Sequence, residues 1–260
     1  MSPFLTFSLS RTCLFIVLSA SALPGEELQP LITTTGKALV SEDFSGAEMP
    51  KVFRTLESGE SFSIVEGALQ AVSRAGQKQS THGVIVAKAH DLTLSFAVKF
   101  IKPGALYIGV DGYKEQYKGN THLVRFELTL ERMAWDQHRG GPESKQAVGE
   151  AMKAARAAKK EMPKATPEQL ADPNFFRIEA LASKEIKCAV DEWHEVMIEV
   201  SGNELVAQVD GEKLAVTAEF ADAMKSRLGF GLTKGGTVLI DRVRIYENTP
   251  RKGTEATPQK

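Results

Sequence analysis

Residues Asp191–Val216, DEWHEVMIEVSGNELVAQVDGEKLAV, constrain the fold more tightly than any other stretch. Val196, Ile198 and Val200 alternate with Glu195, Met197 and Glu199, and Leu205, Ala207 and Val209 repeat the alternation beyond Gly202-Asn203. A period of two puts successive side chains on opposite faces of an extended chain, so these are strands with one apolar face. Gly202-Asn203 and Asp210-Gly211 supply residues that tolerate the positive φ of two-residue hairpin turns. A meander of three antiparallel strands must cover its apolar side with a second sheet or a helix.

The rest of the chain repeats the signal. Ala38–Phe44 reads as an opening strand, and Ser61–Val65 and Ala68–Val72 flank the turn pair Glu66-Gly67. Leu92, Leu94, Phe96, Val98 and Phe100 form one face of a strand, with Thr93, Ser95, Ala97 and Lys99 on the other. In His122–Leu130, Val124, Phe126, Leu128 and Leu130 oppose Arg125, Glu127, Thr129 and Glu131. Near the end, Val238 and Ile240 share one parity and Val243 and Ile245 the other. One inserted residue at Asp241-Arg242, a β-bulge, would return both pairs to the core; a strand passing between sheets at a corner is the alternative. Many short strands with turn residues between them predict an all-β protein, a two-sheet antiparallel sandwich over residues 38–248. Residues 23–37 read as a linker and 249–260 as a flexible tail.

One segment departs from this pattern. Ser144–Met162 is rich in Ala and Lys, and Val148, Ala151, Ala155, Ala158 and Met162 fall on one helical stripe. Pro142 suits the first turn and Pro163 ends the helix, while Thr166-Pro167-Glu168-Gln169 has the form of a capping box opening a second short helix. Residues 142–176 are therefore expected as a helical insertion between two strands. Its basic face (Lys145, Lys153, Arg156, Lys159, Lys160) is either plain solvated surface or a surface for an acidic polymer or for self-association.

The N-terminus reads as a targeting segment. Arg11 precedes the apolar run Cys13–Leu18, too short to span a bilayer, and Ala20-Ser21-Ala22 offers small residues for cleavage. A signal peptide over residues 1–22 implies export to the periplasm, the cell surface or beyond, with no stable membrane insertion after cleavage. Beyond residue 22 the only cysteine is Cys188, so the fold is held by its core and not by an internal disulfide. Lys and Arg number 32 against 33 for Asp and Glu, which leaves no electrostatic footprint for nucleic acid.

No signature of a metal, nucleotide or other cofactor stands out. The five histidines are scattered, no Cys-x-x-Cys occurs, and no glycine loop opens a helix to cradle phosphate. The stretch richest in chemistry is the polar face of Arg125, Glu127 and Glu131 with the loop beyond it. If the strand ran on unbroken, Trp135 would join that face, and Asp136, His138 and Arg139 would line the adjoining loop. A flat aromatic for the C–H face of a pyranose, with carboxylates and Arg or His for its hydroxyls, is what a sugar site on a sheet requires. Arg125, Trp135, His138 and Arg139 are accordingly the candidate ligand-binding residues, and Glu127, Glu131 and Asp136 the candidate catalytic carboxyls. An ordinary solvent-facing strand, with Trp135 closing the core edge, is the plain alternative.

Two resemblances bear on these residues. Glu127-Leu128-Thr129-Leu130-Glu131 resembles the Glu-x-Asp-x-(x)-Glu strand of the laminarinase-like glycoside hydrolases, with Thr129 at the family's Asp. Along one strand the two glutamates would stand about 13 Å apart at the backbone, so their side chains would have to lean together to reach the working separations of about 5–9.5 Å. More broadly, Glu192-Trp193-His194-Glu195-Val196, Val206-Ala207-Gln208-Val209-Asp210-Gly211, Leu228-Gly229-Phe230-Gly231 and Val238–Tyr246 occur in an order similar to that of the secreted 3-keto-disaccharide hydrolase-like proteins. Glu42-Asp43-Phe44 and Phe62–Leu69 match the same pattern. That resemblance implies a concanavalin A/laminin-G-like jelly-roll sandwich and a carbohydrate ligand. The expected function is glycan binding; glycoside hydrolysis of a disaccharide or polysaccharide, or a structural role at the cell surface, are the alternatives.

Overall fold

Leu92, Leu94, Phe96, Val98 and Phe100 of one strand enter a single continuous core, while Thr93, Ser95, Ala97 and Lys99 take the opposite face. The computed structural model describes residues 28–56, 61–73, 81–114, 119–161, 163–233 and 235–250, so the expected signal peptide falls outside the described residues. Their first strands are β1 (Thr33–Glu42), β2 (Phe53–Thr55), β3 (Phe62–Val65), β4 (Ala68–Val72), β5 (Thr81–Ala89), β6 (Leu92–Lys102), β7 (Ala105–Lys114), β8 (Gly119–Leu128) and β9 (Arg132–Arg139). Helices α1 (Pro142–Ala157) and α2 (Pro167–Ala171) follow, then β10 (Arg177–Glu185), β11 (Trp193–Ser201), β12 (Glu204–Val209), β13 (Glu212–Thr217), β14 (Lys225–Thr233) and β15 (Thr237–Pro250).

The strands form two antiparallel sheets. The first runs β13-β12-β11-β6-β15-β4-β3, with β1 also paired to β15; the second runs β10-β9-β8-β7-β14-β5-β2. Their inner faces meet in one cluster that includes Phe44, Phe96, Phe100, Phe126, Trp135 and Phe230. Burial of each Leu, Ile or Phe side chain contributes about 1.5–3 kcal/mol, which offsets ordering entropy without disulfides. At one side the sheets approach through β10 and β13, where Lys184 Nζ lies 2.7 Å from Glu212 Oε2.

The expected meander is β11-β12-β13, with Gly202 at φ 52° and Asp210-Gly211 at φ 48° and 85° in its turns. The expected bulge is also present. In β15, Asp241 pairs with Ala97 and Arg244 with Ser95, so two residues of β15 oppose one of β6, and Arg242 takes φ 51°. Val238, Ile240, Val243 and Ile245 are all buried as a result.

Three features differ from the sequence reading. Strand β1 begins at Thr33, within the stretch expected to be a linker, and β15 extends to Pro250, into the expected tail. Helix α1 stops at Ala157, because Lys159 adopts φ 52° and turns the chain back on itself. No residue of α1 is buried, and the half-buried stripe is Ser144, Val148, Met152 and Ala155, which keeps Val148 and Ala155 of the expected stripe but leaves Ala151 and Ala158 exposed; Met162 lies outside the described residues. The capping box at Thr166 and Gln169 forms as expected. No helix among the described residues is long and apolar enough to cross a membrane.

Candidate functional site

The β8–β9 hairpin decides where the sequence candidates lie. Strand β8 ends at Leu128 and the chain turns at Leu130-Glu131, with Thr129 N–H donating to the Arg132 carbonyl (2.9 Å). The Thr129 hydroxyl accepts from Arg132 N–H at 3.0 Å and from Glu131 N–H at 3.3 Å. This turn resets the alternation. Met133 and Trp135 face the core, Trp135 at 1% exposure, so Trp135 is not the surface aromatic expected beside Arg125. Glu131 sits at the exposed turn tip and not one strand-turn along from Glu127, so the expected Glu127/Glu131 pair does not share a strand face. Glu127 itself is ion-paired to Arg132. Arg139 lies at the end of the sandwich, bound to Glu179 (2.6 Å) and Glu219 (2.7 Å), away from Arg125.

Arg125, Asp136 and His138 do come together on the outer face of the second sheet. Arg125 pairs in register with Asp136 and donates to its Oδ2 from Nε (3.0 Å) and a terminal nitrogen (2.7 Å). His138 Nε2 lies 3.2 Å from Asp136 Oδ1. The aromatic on this face is Tyr107 of β7, with the Arg125 guanidinium 4.6 Å from its ring centre.

Two bulges complete the site with residues the sequence reading passed over. Between Val124 and His122 of β8 one extra residue, Leu123, is inserted opposite β7, and Ser226 is inserted in β14. Simple alternation would send His122 into the core with Val124. The bulge instead sets His122 beside Asp111, and the β14 bulge brings Arg227 to the same carboxylate. Asp111, at 2% exposure, accepts from Arg227 Nε at 2.6 Å through Oδ2, and its Oδ1 is bonded to His122 Nδ1. Next to this cluster Gly109 and Gly229 pair side by side, which leaves bare backbone between Tyr107 and Asp111.

The insertion supplies a wall. Gly140, at φ 79°, packs its Cα against the backbone of Phe175 and Phe176, where any Cβ would collide, and Phe176 N–H donates to Ser144 Oγ (2.7 Å). The insertion is thus pinched at its base, and the first turn of α1 stands over the sheet. Pro142, Lys145 and Gln146 from the helix and Asp111, Thr121, His122 and Arg227 from the sheet line an open cleft of about 330 Å³.

The electrostatics of this face favour fixed charges. Burial alone would raise the Asp111 carboxyl, but His122 and Arg227 outweigh it and hold the pKa below the usual carboxylate value. Asp136 behaves in the same way, burial being overcome by His138 and Arg125. Burial depresses the His138 imidazole despite the neighbouring Asp136. Among the described residues no three His, Cys, Asp or Glu side chains converge as a metal site.

The outer face of the first sheet is built differently. Glu199, fully buried, accepts from the backbone N–H of Leu31, Ile32 and Thr33 at 2.7, 3.1 and 3.0 Å and from the Thr33 hydroxyl at 2.7 Å. Residues 28–33 are thereby strapped across the sheet. A cleft of about 240 Å³ remains beside the strap, lined in part by Gln29, Ser95, Glu195, Arg242 and Tyr246. Glu195 and Asp241 both pair with Ala97 from opposite sides, and burial raises the pKa of each. Cys188 is an ordinary packed thiol, pushed up to about 12 by burial and Asp210. His194 is equally structural, its Nδ1 2.6 Å from Asp210 Oδ2 and its Nε2 3.0 Å from the Ala189 backbone.

Neither a protein-family model nor a curated protein matches the chain. Its fold matches solved structures at low identity. The catalytic domain of a laminarinase from Thermotoga petrophila superposes with a TM-score of 0.52 at 12% identity, covering 83% of this chain and 99% of that one. LamAcat from Zobellia galactanivorans gives a TM-score of 0.52 at 13% identity, covering 82% and 98%. A protein with a galectin-like fold from Bacillus subtilis gives 0.51 at 9% identity, covering 85% and 100%. The chain shares the two-sheet jelly-roll sandwich fold of these structures.

Proposed function

We propose that the protein is an exported glycan-binding sandwich that holds its ligand on the outer face of the second sheet, in the group of 3-keto-disaccharide hydrolase-like proteins its strand and turn order resembles. The observation that carries the reading is the composite cleft. Pro142, Lys145 and Gln146 of α1 stand over Asp111, Thr121, His122 and Arg227, and beside this cleft the bare backbone of Gly109 and Gly229 leads to Tyr107, Arg125 and Asp136. Concave sites with a few convergent polar groups are the usual form of a small-ligand site. The test is a glycan array with product analysis, repeated on Gly229→Val. A Cβ at Gly229 meets only the Gly109 carbonyl oxygen, at 3.8 Å, so the variant keeps its fold while its side chain stands on that bare backbone. Retention of a glycan by the parent and at least tenfold weaker retention by Gly229→Val is expected, since one lost contact surface of about 1.4 kcal/mol is tenfold. Equal retention by both would remove the site from this face.

Hydrolysis is the second reading, and one observation favours it. Glu195 and Asp241 flank Ala97 on one face, about 10 Å apart at the backbone by two strand spacings. Two carboxyls with raised pKa at that separation can approach the roughly 6.5–9.5 Å of an inverting pair. Enzymatic release of sugar that disappears in both Glu195→Gln and Asp241→Asn, with binding on the other face intact, is the expected result. Activity surviving both substitutions would rule the pair out.

A further inference from the structure

Among the described residues, Asp111 is the only acidic side chain lining the cleft of the second sheet, and its charge is spent inward. One oxygen is bonded to His122 Nδ1 and the other to Arg227 Nε, and the carboxylate lies beneath both at 2% exposure. The groups left to face the cleft are of the opposite kind. Arg227 uses Nε for Asp111, and among the described residues its two terminal nitrogens make no hydrogen bond. Lys145 makes no ion pair among the described residues; its Nζ lies 5.7 Å from the Phe176 ring centre, held over the cleft by the first turn of α1. The Thr121 hydroxyl and the Gln146 amide add hydrogen-bond donors to the lining.

From this we infer that the cleft selects an anionic sugar, with Arg227 and Lys145 together gripping the carboxylate of a uronate residue or the sulfate of a sulfated one. This rests on the glycan-binding reading above and adds the class of ligand. A guanidinium matches an oxyanion through two parallel donors, and an ammonium adds a point charge from the other side. The single carboxylate present does not repel such a group, because two donors already neutralise it. At about 330 Å³, near the lower end of the ~300–1,000 Å³ typical of ligand pockets, the cleft takes one sugar residue and leaves its neighbours on the sheet.

The test is calorimetric titration of the purified protein with three oligosaccharide sets: a uronate-based set, a sulfated galactan set and a neutral β-glucan set, in about 0.15 M salt so that non-specific attraction is screened. Tighter binding of one acidic set than of the neutral set by about tenfold or more is expected, and which acidic set wins identifies carboxylate or sulfate. Lys145→Gln, a change at an exposed position, and Arg227→Gln should each weaken acidic binding by about tenfold while any neutral binding stays within about twofold. Lys159→Gln/Lys160→Gln, just beyond the far end of α1, should change neither. Neutral binding equal to acidic binding, or a far-end variant as damaging as Lys145→Gln, would overturn the inference and leave glycan binding standing. Binding to none of the three sets would overturn both.

Discussion

The two outer faces of the sandwich solve the same problem in opposite ways. Both carry carboxylates among neutral strand residues, and both are partly covered by a segment outside the sheets. On the first sheet the cover is an extended strap, residues 28–33, tied down by one buried acid, Glu199. On the second it is a helix that buries none of its residues and has a cleft beneath its first turn. The carboxyls differ accordingly. At Asp111 and Asp136 the neighbouring cations outweigh burial and lower the pKa, whereas at Glu195 and Asp241 burial outweighs Arg242, which is ion-paired to Glu195, and raises it. Fixed charges suit recognition, while a carboxyl whose pKa is raised is better suited to proton transfer. On the reading proposed above, glycan binding belongs to the outer face of the second sheet and hydrolysis, the second reading, to that of the first.

The largest expected effect comes from cutting the strap. Glu199→Ala removes the acceptor for three backbone N–H groups and one hydroxyl in a buried place, and should cost about 3 kcal/mol in urea unfolding, with new protease cleavage near residue 30. An unchanged unfolding midpoint would mean that the strap is decoration and that the two faces do not differ in this respect. Next is acid. Burial would raise Glu179, but Arg139, Arg177 and Gln137 outweigh it and hold it at about 2 against an ordinary 4.5. Its stabilising contribution is therefore complete above about pH 4.5 and lost as pH falls toward about 2. Unfolding followed across that window should show a steeper loss in the parent than in Glu179→Gln. The smallest and most discriminating measurement is carboxyl titration by NMR. Asp111 and Asp136 should titrate below the usual carboxylate midpoint and Glu195 and Asp241 above it; the reverse order would collapse the contrast between the faces.

Most of the architecture was legible because alternation is a local and redundant signal. Strands β6, β11 and β12 announce their inner faces residue by residue, and even the β15 bulge showed as a change of parity at Asp241-Arg242. The site was only half legible. The fold brings the candidates Arg125, Asp136 and His138 together, but Trp135 takes its alternative place in the core, because the β8–β9 turn is made by a threonine hydroxyl over Leu130-Glu131, with no Gly, Pro, Asn or Asp to mark it. His122 was missed for a related reason. A bulge at Leu123 leaves no compositional trace, so the imidazole reads as a core-facing position. Asp111, Lys145 and Arg227 come from three elements distant in sequence and meet only in the folded chain.

The pinch at Gly140 and Phe176 has a consequence for how such a protein changes over time. Because the loop that carries the cleft's wall is gathered at a narrow stem and contributes nothing to the interior, its contents can be rewritten while the sandwich beneath is left as it is. Lys145 rides on that exchangeable piece and Arg227 on the permanent one. On the proposed reading, a relative with a different excursion at this stem would keep one half of the ligand's grip and trade the other, so preference among sugars could drift without any cost in folding.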